Sequence, residues 1–127
     1  MRFDMAKYLA FLVSDGSSPL DETVLKRSSL DEMWKPQIRA SDGDGATGDD
    51  AQTGLSFFAE RHGHVELIGH SGDQNGFLSH LYVHRPSHTA YAIAFNTDVN
   101  LGSVSMTRQA DAAVRDAIIR EVLGGSR

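Results

Sequence analysis

Apolar residues recur at helical spacing near both ends of the chain, and between these segments they alternate with polar residues. A first helix is predicted over residues 3–13, where one side collects Phe3, Ala6, Leu9, Ala10 and Val13. A second, short helix is predicted at 28–34, with Ser28 or Ser29 as its N-cap. A long third helix is predicted over 104–123. Its core-facing side is predicted to carry Met106, Ala110, Ala113, Val114, Ala117, Ile118 and Val122.

The middle of the chain has the alternation typical of strands, which we place at residues 55–60, 65–68, 77–84 and 89–95. In the third of these, Leu78, His80, Tyr82 and His84 are expected to face one side of the sheet and the intervening residues the other. The last strand is nearly all apolar, as in a strand that is covered on both faces. Because the connections are short, the strands are expected to form an antiparallel meander. The predicted fold class is α+β.

The length of 127 residues suits one domain. We divide it into a helical segment (1–36), an acidic loop (37–53), and antiparallel strands with a C-terminal helix (54–127). The loop holds several aspartates, but it does not match an EF-hand. Thr47 and Thr53 occupy the sixth and twelfth positions from Asp42, where that motif needs glycine and glutamate.

Composition excludes several classes of protein. The net charge is −5 and no basic stripe is present, so no nucleic-acid partner is expected. Without cysteine there is no disulfide, thiolate metal site or cysteine nucleophile. No apolar run reaches the length of a membrane span, so no membrane partner is expected. The first residues lack the apolar core of a signal peptide, which leaves the localisation unknown. No cofactor is implied.

One stretch, Leu67-Ile68-Gly69-His70-Ser71-Gly72-Asp73-Gln74-Asn75-Gly76-Phe77, has the residues of a chemical site. An apolar run leads to a His-Ser-Gly triplet and then to a polar loop with a further glycine. A catalytic triad of Ser71, His70 and Asp73 is not expected, because adjacent residues on an extended strand point to opposite faces. Histidines offer another hypothesis, a zinc site, for which the candidates are His62, His64, His80 and His84.

Several segments, taken in order, resemble the C-terminal part of the serine β-lactamase and penicillin-binding-protein-like family. The likeness is greatest to the class C-type branch of β-lactamase-related esterases and D-aminopeptidases. The similar segments are Asp4-Met5-Ala6-Lys7-Tyr8-Leu9, Met33-Trp34-Lys35-Pro36-Gln37, Gly54-Leu55-Ser56-Phe57-Phe58 and His70-Ser71-Gly72. The last is similar to the family's third catalytic motif, which is Lys-Thr-Gly or His-x-Gly. The resemblance implies a partial β-lactamase/transpeptidase-like fold, with N-terminal helices and a C-terminal helix packed on the sheet.

The resemblance also implies roles for four residues that would form the wall of an active site. His70 and Ser71 would orient the substrate, Gly72 would leave room for the acyl group, and the Asp73 N–H would donate to the oxyanion. However, no serine in the chain begins Ser-x-x-Lys, and neither Tyr-x-Asn nor Ser-x-Asn is present. The nucleophile, its base and the second motif are therefore missing, and the chain alone is expected to be inactive.

In the family, the C-terminal strand pairs with one from the N-terminal segment. We therefore expect this chain to be a C-terminal fragment, which would meet a small-molecule or peptide substrate only together with the missing N-terminal portion. Its 89–95 strand would expose an apolar edge, prone to edge-strand pairing or homo-oligomer formation. The alternatives are a non-catalytic α+β binding module and, third, a histidine-based metal-binding protein.

Overall fold

The computed structural model describes residues 2–17, 23–41, 46–74 and 76–124. Its helices are α1 (Arg2–Val13), α2 (Arg27–Trp34) and α3 (Met106–Ala117), the last continued by a π-helical turn (Ile118–Val122). The strands are β1 (Ile38–Arg39), β2 (Gln52–Thr53), β3 (Phe58–His62), β4 (Val65–Gln74), β5 (Phe77–His84), β6 (Thr89–Phe95), β7 (Asn100–Leu101) and β8 (Val104–Ser105).

Strands β1 to β6 form one antiparallel sheet in chain order, which confirms the α+β class and the predicted meander. The bounds of β5 and β6 are those predicted from the alternation. Strand β4 is longer than predicted, because the residues after Ile68 continue the ladder with β5 as far as the pair Gln74 and Phe77. The segment 37–53, predicted as a loop, contributes β1 and β2.

Helices cover both faces of the sheet, and two separate apolar cores result. On one face, α1 and α2 enclose Leu12, Leu30, Trp34, Phe57 and Val83. On the other face, α3 and its π-helical turn close over Val65, Leu67, Tyr82, Ile119 and Leu123. Since β5 alternates between the two cores, the predicted division of its side chains between the faces is confirmed.

The rotation of α3 differs from the prediction. Its buried residues are Thr107 and Asp111, whereas Met106 and Val114 on the predicted core-facing side are each 44% exposed. Contacts around the start of the helix fix this orientation. Ser105 caps the helix by accepting from the Arg108 N–H, and the Thr107 hydroxyl accepts from the Val99 N–H.

The first two helices also differ in detail from the predictions. Among residues 4–13 of α1, whose side chains the structure describes, the most buried is Leu12, and the predicted core residues Ala6 and Ala10 are exposed. Helix α2 begins one residue before Ser28, so Lys26 holds the N-cap position that was predicted for a serine. No described helix is long and apolar enough to cross a membrane.

Candidate functional site

The His70-Ser71-Gly72-Asp73 segment lies within β4, and the two hairpins that flank β4 fix where its backbone groups point. The hairpin between β3 and β4 ends at the pair His62 and Val65. In this register the odd-numbered residues of β4 direct their backbone N–H and C=O groups toward β3. On the other side, β4 and β5 end their ladder at the pair Gln74 and Phe77, and the even-numbered residues of β4 direct their backbone groups toward β5. The N–H of Asp73 therefore points away from β5.

The side toward which Asp73 points is open along this part of β4. Strand β3 pairs with β4 only as far as Gly69, opposite Phe58. Beyond Gly69, no strand among the described residues pairs with β4 on that side. The backbone of residues 70–74 thus forms a strand edge that an extended ligand could reach.

His70 lies on the face of the sheet that α1 and α2 cover. Its ring stacks on Phe58, with the centroids 4.6 Å apart and the planes 16° from parallel. It also lines a largely apolar cavity of about 360 Å³ together with Tyr8, Ser56 and Leu81. A larger cavity of about 620 Å³ lies between α2 and β2–β4, but none of the residues 70–73 lines it.

Ser71 and Asp73 face the opposite side of the sheet, toward α3. Ser71 lies directly across from His80 on β5, and the Asp73 carboxylate forms an ion pair with Arg108 of α3. His70 and Ser71 are therefore on different faces, as the alternation predicted, and they are not arranged as base and nucleophile.

Gly72 lies at the open edge with space around it. A Cβ added to Gly72 would meet no described atom within 4 Å. A ligand along this edge would have His70 on one side of it and Ser71 and Asp73 on the other.

A buried polar cluster lies beneath α3, next to this segment. Glu60 of β3 has a fully buried side chain that accepts hydrogen bonds from the Tyr82 hydroxyl and from His62 Nε2 at 3.0 Å. The backbone N–H and the hydroxyl of Thr47 donate to the same carboxylate at 2.8 and 2.9 Å. Burial raises the pKa of Glu60, but these hydrogen bonds outweigh it, so the pKa lies below its ordinary value.

Next to Glu60, His80 lies under the polar side of α3. Its Nδ1 is 3.4 Å from Oδ1 of Asp111, and its Nε2 makes no hydrogen bond with a described residue. Burial lowers the pKa of His80; Asp111 and Glu60 oppose this effect and Arg115 adds to it. Although Ser71, His80 and Asp111 are neighbours, Oδ1 of Asp111 makes no hydrogen bond with a described residue, as it would in a catalytic relay, and His80 is closed off from solvent.

The lowered pKa values predict that the protein loses stability in acid. Below about pH 6.5, the ordinary value for histidine, the unfolded chain takes up a proton that folded His80 resists, so the free energy of unfolding falls. Burial also lowers the pKa of His84, so His84 adds to this loss of stability in the same pH range. Glu60 adds to it below about pH 4.5.

Urea unfolding between about pH 7 and pH 5 measures how the free energy of unfolding depends on pH. One titrating group changes it by at most about 1.4 kcal/mol per pH unit. The His80→Gln variant should show a shallower dependence than the wild type, with the part due to His84 retained. An unchanged slope would show that His80 is not responsible.

The histidines considered for zinc binding have other contacts. His62 donates to Glu60, His64 contacts the Gly124 carbonyl at 2.8 Å, and His84 contacts the Ser87 hydroxyl at 2.6 Å. Among the described residues, no group of three or more histidine or carboxylate side chains is placed to hold a metal ion. The zinc hypothesis therefore gains no support from the described part of the chain.

The buried cluster was not predicted from the sequence, although the chain contains a signal for it. Thr107, Asp111 and Arg115 recur every four residues on α3 and form a polar stripe, separate from the apolar residues predicted to face the core. Glu60 was predicted only as the last residue of a strand.

In a search for relatives of the whole chain, no known family, curated protein or solved structure matches it.

Proposed function

We propose that this chain supplies the substrate-binding wall of a serine β-lactamase-like hydrolase. The single observation that carries the proposal is the open edge of β4, toward which the Asp73 N–H points. A substrate lying along this edge would receive a hydrogen bond from Asp73 on its carbonyl oxygen. Such a donor stabilises the negative charge that develops on that oxygen in acyl transfer.

The side chains around the edge fit the same role. His70 borders a largely apolar cavity that could accept a side group of the substrate, and Gly72 leaves space for the acyl group. The Asp73 carboxylate pairs with Arg108 of α3, on the side of the sheet away from His70. The reaction also needs a nucleophile and a base. They would come from a segment that this sequence does not contain, because Ser-x-x-Lys is absent.

Binding to the isotope-labelled chain tests the proposal by NMR. A penicillin or an N-acyl D-alanyl peptide at millimolar concentration should shift the amide resonance of Asp73. The amides of Gly72 and Gln74, which bond to β5, should shift much less and serve as internal controls. If the Asp73 amide does not respond to either ligand, the proposed wall is wrong.

A pair of variants separates the backbone of Asp73 from its side chain. Asp73→Pro removes the N–H without removing a ladder bond, because this N–H points to the open edge. It should abolish the binding, whereas Asp73→Ala, which loses only the carboxylate, should retain most of it. Equal loss in both variants would show that the carboxylate, and not the N–H, holds the ligand.

Catalysis provides a separate test. The purified chain should not hydrolyse nitrocefin or a p-nitrophenyl ester above the buffer rate, because it lacks the nucleophile. Turnover that His70→Ala or Ser71→Ala abolishes would contradict this expectation and would indicate a complete active site within the chain.

A further inference from the structure

Strand β6 is the last strand in the order of the sheet, and among the described residues no strand pairs with its outer side. The odd-numbered residues of β5 direct their backbone N–H and C=O groups toward β4. The even-numbered residues of β5 therefore direct theirs toward β6. Their partners in β6 are Thr89, Tyr91, Ile93 and Phe95. The remaining residues, Ala90, Ala92 and Ala94, therefore direct their N–H and C=O groups away from the sheet.

This edge lacks the features by which monomeric proteins prevent edge-to-edge association. Strand β6 is seven residues long and contains no charged residue and no proline. It pairs with β5 residue by residue without a bulge. Since all three outward-bonding residues are alanines, no large side chain hinders the approach of another strand.

An apolar stripe of α3 lies on the same flank of the molecule. One flank of the helix faces β4, because Arg108 pairs with Asp73 and Ile119 belongs to the core cluster that contains Val65 and Leu67. Asp111 lies over His80 of β5. At 100° per residue, the opposite flank of α3 is the one nearest β6. It carries apolar residues whose burial was predicted. The structure leaves Met106, Ala110, Ala113 and Val114 exposed and Ala117 half-buried. The unpaired edge and the stripe thus form one apolar surface.

We propose that this surface binds a second copy of the chain, with the two β6 strands antiparallel about a two-fold axis at Ala92. In this register Ala92 faces Ala92 of the second copy and Ala90 faces Ala94, so every outward N–H and C=O of the three alanines finds a partner. The two sheets become one continuous sheet, and the α3 stripes meet above the joint. The inference uses a different edge from the proposed substrate wall and does not depend on it.

Two properties favour a second copy over a different partner. A two-fold axis brings two copies of the same strand together, so charged residues of like sign near the axis would repel one another, and β6 has no charged residue. The same axis also places Tyr91 opposite Ile93 of the second copy, which extends the apolar layer under both α3 helices.

Sedimentation and cross-linking test the proposal. The purified chain should sediment as a dimer. Because the chain contains no cysteine, Ala92→Cys introduces a single thiol, which should form an intermolecular disulfide on mild oxidation. The Cα atoms of a directly hydrogen-bonded antiparallel pair are about 5.5 Å apart, within the range that a disulfide spans. Val24→Cys, at an exposed site beside helices α1 and α2, is the matched control and should not cross-link above background.

A second pair of variants tests whether strand pairing holds the dimer. Ala92→Pro removes an N–H that points outward and should give a folded monomer, with circular dichroism confirming the fold. Ala92→Ser keeps the N–H and should remain dimeric. A wild-type chain that is monomeric at all concentrations would overturn the proposal. So would a dimer that Ala92→Pro leaves intact, or cross-linking as efficient through residue 24 as through residue 92.

Discussion

Replacing Gly69 with alanine should lower the free energy of unfolding by roughly 3 kcal/mol. The new Cβ would lie 2.0 Å from the Leu81 carbonyl oxygen and 2.5 Å from Cδ1 of Tyr82. These neighbours cannot move apart easily, since the carbonyl belongs to the backbone of β5 and the Tyr82 ring is fully buried. The strand would have to separate from β5 at a position where it is paired on both sides.

The matched control for this substitution lies three residues along the same strand. At Gly72 a Cβ meets no described atom within 4 Å, so Gly72→Ala should change the free energy of unfolding by no more than about 0.5 kcal/mol. Urea unfolding followed by circular dichroism measures both variants. Equal stability of Gly69→Ala and Gly72→Ala would contradict the close approach of β4 and β5 at Tyr82.

Removing the buried carboxylate of Glu60 should have a comparable effect. Glu60→Ala is expected to lower the free energy of unfolding by about 3 kcal/mol, because it leaves buried donors on Tyr82 and Thr47 without their acceptor. Glu60→Gln should cost roughly half as much. The amide keeps one acceptor oxygen, and its NH₂ can donate to the Thr47 hydroxyl or to the His62 ring.

A double-mutant cycle isolates the contact between Glu60 and Tyr82. The pKa of the Tyr82 hydroxyl is raised by its burial and by the neighbouring charge of Glu60, so it stays a proton donor. Tyr82→Phe in the Glu60→Ala background should therefore cost less than in the wild type, with a coupling of about 1 kcal/mol or more. Strictly additive effects would show that the two side chains do not interact.

Much of the sheet could be predicted from the sequence, because hydrophobic alternation is a local property. The alternation from Phe77 to His84 determined the bounds of β5 and the faces of its side chains. The length of β4 was harder to predict, since Gly72 and Asp73 read locally as a turn. They belong to a strand because the ladder with β5 continues as far as the pair Gln74 and Phe77.

The residues of the candidate site could be named from the sequence, but their geometry could not. His70, Ser71, Gly72 and Asp73 stand out as a motif, and the absence of Ser-x-x-Lys is visible in the sequence. The end of the β3 pairing at Gly69, which leaves the edge next to Asp73 open, is not visible there. That edge depends on the lengths of three strands, and no single segment of the chain encodes it.

The sequence by itself determined the α+β class, the antiparallel order of the strands and the amphipathic character of the last helix. Only the tertiary structure decided which side of that helix is buried. Capping by Ser105, the contact of Thr107 with Val99 and the pairing of Arg108 with Asp73 turn the polar stripe toward the sheet. Periodicity identifies an apolar face, but which face is buried depends on the partners that the fold places beside it.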